Sequence, residues 1–242
     1  MKTINSIWLY ALCLCLPYVS IAQEVSYNND NFTINSVTVE HLSEHSVTVW
    51  TIKVKGEAGK TTPKPKGQMN GAPVLGYVFP TNLKSEDVGF NSVDGIVALA
   101  LTSHPDFDDT PLWDENIDSV YDNDGIIWHP HWVVLEKNEA VSGGLAVKQF
   151  NEGDSSVVLP PTNPGMPMYM DSPGYAVNTN ANKITVLIPD YRIKNKIAFN
   201  YDGVAAFMKV NTSDMELPML GVYEVFSVAS GDLSLPYTVK QN

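Results

Sequence analysis

The residues of this chain best suited to chemistry crowd into one stretch, 104–132, where histidine, acidic and tryptophan side chains alternate with few cations. Its sharpest feature is Trp128-His129-Pro130-His131-Trp132. If these residues form a strand, His129 and His131 point to one face, about 6.6 Å apart along the chain at twice the strand rise. That spacing suits two ligands of a single transition metal, and zinc, iron and copper all accept imidazole nitrogen. Trp128 and Trp132 then face the opposite way, toward a core. Pro130 carries no amide hydrogen, so the strand must lie at an edge or bulge there. The third ligand is to be sought at His104 or among the acids that follow it.

Those acids are a second signal. Eight of the chain's 27 acidic residues fall between Asp106 and Asp124. Such density costs repulsion that a hard cation relieves through oxygen coordination. Asp114, Asn116 and Asp118 reproduce the alternating start of a calcium loop. Asp122 stands where such loops bind through water, Val120 where they use a backbone carbonyl, and Asp124 completes the candidate set. The stretch is no EF-hand: Ser119 replaces the turn glycine and Gly125 the bidentate glutamate. The expectation is a calcium loop between two strands. A third signal is Met166-Pro167-Met168-Tyr169-Met170, whose alternation sets three thioethers on one side of an extended segment, a donor set that selects Cu(I).

The string His-Pro-His-Trp locally resembles the His-Phe-His-Trp ligand strand of α-class carbonic anhydrases, which implies zinc. Members of that family take a third histidine from a later strand, and none follows His131 here; the resemblance stops at these residues. A cupin-like site fails on the same ground. His104-Pro105-Asp106 matches half of the two-histidine, one-carboxylate triad of iron oxygenases. Other catalytic patterns are missing: there is no Gly-x-Ser-x-Gly elbow, no GxGxxG and no phosphate loop. The reading is therefore a binding or structural module more than an enzyme.

The elements that must position these groups are strands. Among 242 residues, 44% are hydrophobic and 17% charged, a globular composition. Period-two alternation runs through 45–55, where Trp50, Ile52 and Val54 share a face, and through 183–189 and 203–210. Further β-rich runs cover 32–40, 73–79, 95–101, 126–136, 144–150, 220–228 and 233–239, with Gly, Pro, Asn or Asp between them. No window carries an amphipathic helical stripe. About ten short strands with long irregular loops predict an all-β fold, an antiparallel β-sandwich with a barrel as the alternative. Residues 56–71 read as an exposed loop, and the proline-rich 151–174 as a surface crossing without pairing.

Residues 1–22 read as a signal peptide: Lys2, an apolar run over residues 7–16, and small residues at Ser20 and Ala22. The run is too short to span a bilayer. Cleavage after Ala22 leaves one β domain, 23–242, without Cys13 and Cys15, a pairing that fits a secreted or periplasmic protein not inserted in a membrane. Fifteen basic residues against 27 acidic ones give a net charge of −12, which repels phosphate backbones and argues against nucleic acid. A glycan or a protein remains open as a ligand, since five Trp and eleven Tyr could line a binding face or fill a core. The leading expectation is an exported, non-enzymatic β-sandwich protein with a calcium-binding acidic loop. The alternative is a metal-dependent enzyme or a periplasmic copper-binding protein using His129 and His131.

Overall fold

The computed structural model describes residues 26–64, 68–104 and 127–242. The expected signal segment and the acidic loop, with Asp114, Asn116, Asp118, Asp122 and Asp124, lie outside them. Fourteen strands carry the fold: β1 (Ile34–Leu42), β2 (Val47–Val54), β3 (Pro73–Pro80), β4 (Ile96–Ser103), β5 (His129–Lys137), β6 (Leu145–Val147), β7 (Met170–Asp171), β8 (Val177–Asn180), β9 (Lys183–Pro189), β10 (Asn200–Tyr201), β11 (Val204–Val210), β12 (Leu220–Val228), β13 (Tyr237–Thr238) and β14 (Lys240–Gln241). Helical turns among the described residues are 3-10 segments of three or four residues.

Two layers pack together. One is an open sheet in the order β14-β1-β2-β9-β8. The other runs β4-β3-β11-β12-β6-β5, and β4 pairs with β5 to close it into a six-stranded barrel. The fold is thus all-β, a sandwich in which one layer is a barrel, so both forms foreseen in the sequence occur together.

The patterning explains the division. In β2 the buried positions alternate strictly, because one face meets the barrel and the other meets water. In β3 and β4 nearly every position is buried, because the strands have a core on each side. Leu75, Tyr77, Phe79, Leu99 and Leu101 join Trp50, Ile52 and Ile184 in the core between the layers. Val74, Val78, Ala98 and Ala100 instead join Val133, Ala206 and Met208 in a second cluster inside the barrel. Trp50 centres the interlayer core, with rings of Phe79 at 5.3 Å and Trp132 at 5.8 Å, both edge-on.

Two expectations need correcting. Residues 151–174 do not cross the surface unpaired: Met170 and Asp171 pair with Val133 and Trp132, and Met168 bridges to Gln149. Methionines at every second position form a strand-like face that the surrounding prolines conceal. The run 233–239 yields only the two-residue strand β13, after a turn in which Leu233 and Leu235 take left-handed backbone angles, and β14 follows just beyond it.

Candidate metal centre

The antiparallel register of β4 and β5 sets Ala100 opposite His131 and Thr102 opposite His129. His104, directly after β4, continues the inward series Ala100, Thr102 and so reaches the same end of the barrel. On β5 the alternation works as expected: His131 and Val133 face the lumen, while Trp132 and Val134 enter the interlayer core. Trp128 also packs away from the histidines, 4.8 Å from Tyr77, and donates from Nε1 to Gly59 O at 2.8 Å. Pro130 pairs with Leu101 on one side, and on the other the β7 ladder reaches only Trp132 and Val133. Its missing N–H thus falls where the strand has one neighbour.

Three histidines converge. His104, His129 and His131 are each at most 5% exposed, and one ring nitrogen from each lies within 4.8 Å of the others. Tetrahedral coordination at about 2.0–2.1 Å separates ligand nitrogens by roughly 3.3 Å, so a modest contraction would enclose an ion. His104 and His129 already approach closely, with Nε2 atoms 2.9 Å apart. His129 Nδ1 donates to Ile127 O at 3.0 Å, because a carbonyl only accepts. In the neutral ring that fixes the lone pair on Nε2, aimed at His104. His131 Nδ1 meets Ser172 Oγ at 3.0 Å. Contacts of this kind fix the tautomer and ring plane of metal-binding histidines. Ser172 is held in turn by its own N–H, which donates to Thr162 O at 3.0 Å.

Of the expected site residues, His104, His129 and His131 come together, and the group that joins the pair His129 and His131 is His104 rather than an acid among the described residues. Met166, Met168 and Met170 share one side as their spacing requires, and all three line the lumen with Met208. Sequence reasoning missed Ser172, which lies 41 residues from the ring it contacts and carries no local signal. His41 is a different case: its Nε2 pairs with Asp190 at 2.9 Å and its Nδ1 with Gln241, tying strand ends together far from the lumen.

Beside the histidines the barrel encloses a cavity of about 320 Å³. Its described lining includes no titratable side chain except His104 and His131. Among the described residues, the buried carboxylate of Asp171, next to the lining residue Met170, points to the opposite side of β7. There Thr162 Oγ1 donates to it at 2.6 Å and Arg192 stands at 3.7 Å, while burial pushes its carboxyl above the usual range. The arrangement offers nitrogen donors beside an apolar chamber. Comparison with protein-family models, with curated proteins and with solved structures returns no match for this chain.

Proposed function

We propose that this protein binds one transition-metal ion through His104, His129 and His131, with the open coordination position directed into the barrel lumen. The observation that carries the reading is the buried convergence of three imidazoles whose donor atoms lie within 4.8 Å. Buried imidazoles held in fixed orientation by outer contacts, as His129 is by Ile127 O and His131 by Ser172, are the arrangement in which a ring nitrogen serves as a metal ligand. Imidazole donors suit zinc, copper and iron better than calcium or magnesium, which prefer oxygen. The thioethers of Met166, Met168, Met170 and Met208 along the same lumen add soft donors that favour copper within that group. An exported location, argued from residues 1–22, belongs to the same proposal. A calcium site at Asp114, Asn116, Asp118, Asp122 and Asp124 is a separate proposal that rests on ligand spacing alone.

Elemental analysis of purified 23–242 tests the reading directly. The expected result is one equivalent of zinc, copper or iron per chain, lost in His129→Ala and His131→Ala. Calcium as the sole stoichiometric metal, or transition metal retained equally by both variants, overturns it.

A further inference from the structure

The barrel lumen itself resembles a binding site, independently of the metal. Its volume of about 320 Å³ falls at the lower end of the roughly 300–1,000 Å³ typical of small-molecule pockets. Its wall is hydrocarbon over most of its length, from Val74 and Met208 near the histidines to Ile96 eight positions back along the chain from His104. Gly76 keeps the chamber open on β3: a Cβ there would stand 2.6 Å from Met208 Cε.

Two further features point to a ligand. Thr102 lines the cavity and is 4% exposed, yet its Oγ1 has no hydrogen-bond partner among the described residues. A buried hydroxyl left unpaired keeps an uncompensated desolvation cost, so its presence in an apolar wall calls for a group that completes it. The other feature is the mouth. Ile96, Val225 and Leu233 line the cavity while remaining more than one-third exposed. Leu233 and its neighbour Leu235 hold φ of 60° and 54°, a region that non-glycine residues avoid at a cost. That turn is braced from behind. Asp202, fully buried, accepts from Ser230 N and Ser230 Oγ, Ser230 Oγ accepts from Leu233 N, and Asn200 Nδ2 donates to Leu235 O. The chain spends strain to set two leucines over the chamber.

We propose that the lumen binds a neutral, elongated hydrocarbon bearing one terminal hydroxyl or carbonyl group. The polar end hydrogen-bonds Thr102 Oγ1 beside the histidines, and the chain runs toward Ile96 and Leu233. At the roughly 30 Å³ of a water-sized group, the volume holds a chain of about ten carbons. Neutrality fits the described wall, which carries no Lys or Arg and whose titratable groups are the imidazoles of His104 and His131.

The probe is 1-decanol, added to 23–242 stripped of metal with chelator and carrying ¹³C-methyl methionine. One equivalent should shift the methyl signals of Met168, Met170 and Met208 and leave Met215, 97% exposed, unmoved. Thr102→Val should weaken decanol binding about tenfold with no effect on decane, and Ala206→Phe should abolish both. Unmoved lumen methyls, a Met215 shift equal to theirs, or tighter binding of decanoate than of decanol overturns the proposal. The wild-type shifts decide the matter even if a variant fails to fold. Loss of metal binding with the decanol response intact would count against the metal reading alone.

Discussion

Ser172→Ala is the most informative single change, because it leaves all three imidazoles in place. Ser172 is 4% exposed and touches the metal set only through the 3.0 Å contact of its Oγ with His131 Nδ1. Loss of such an outer contact weakens metal affinity about 10- to 100-fold, through a ring free to rotate or change tautomer. The effect can be read as a melting temperature. With metal at 100 times its Kd, the wild-type fold gains about 2.7 kcal/mol over the chelated protein. For a chain of this size that corresponds to a rise of roughly 5–11 °C. At the same metal concentration the variant gains only about 0.4–1.4 kcal/mol, a rise of roughly 1–6 °C. In chelator the variant should fall below wild type by about 1 kcal/mol, the value of one hydrogen bond. His45→Ala, on an exposed turn, is the control and should shift like wild type. If the variant and wild type gain equally from metal, Ser172 does not orient a ligand, and the geometry assigned to His131 is wrong. If wild type gains nothing from zinc, copper or iron, the metal centre itself is refuted.

Four other outcomes are expected. Asp171→Asn should be at least as stable as wild type at pH 7, where burial of the ionised carboxylate opposes folding despite Thr162 and Arg192. The native carboxyl holds its proton to higher pH than the unfolded one, so wild-type stability falls as pH rises through that window; the variant's advantage should vanish below about pH 4 in denaturant titrations. Trp50→Ala, which empties a fully buried site against Phe79 and Trp132, should cost about 3–5 kcal/mol by the same titrations. Calcium should raise the melting temperature relative to chelator, and Asp114→Asn with Asp118→Asn should remove that rise; an equal response to magnesium would reduce it to charge screening. Intact mass of the exported protein should begin at Gln23, and a product that retains Cys13 would refute the signal-peptide reading.

Much of this fold was legible wherever a strand has one wet face. β9 occupies 183–189, as the alternation indicates, and β12 occupies 220–228, a β-rich run set off by turn residues. The pair His129 and His131 was legible for the same reason, since period two fixes which side chains meet. Closure of the barrel was not. β3 and β4 are buried on both faces, so their continuous apolar runs show no alternation and give no hint of which neighbour each strand takes. The pairing of β4 with β5 is a long-range choice of register, and His104 joins the site only through it. Strands of two residues, such as β7, are too short to display a period at all, and Ser172 follows one of them.

β5 shows why the histidine set and the core cannot be separated. Its odd-numbered residues His131, Val133 and Leu135 line the lumen, while Trp132 and Val134 fill the interlayer core. A slip of one residue would exchange the two sets, driving Trp132 into a chamber of about 320 Å³ and two imidazoles against Trp50. The large edge-on contact between Trp50 and Trp132 therefore specifies the register that aims the histidines, although neither indole points toward the lumen. Apolar packing on one face fixes the position of polar donors on the other. The donors sit at the end of the lumen where β5 pairs with β4 but has outrun the β7 ladder, and there side-chain contacts with Ser172 and the carbonyl of Ile127 take over the work of orientation. Precision at the site thus depends on a core that touches none of the three imidazoles, and substitutions at Trp50 should loosen the histidine cluster as well as the fold.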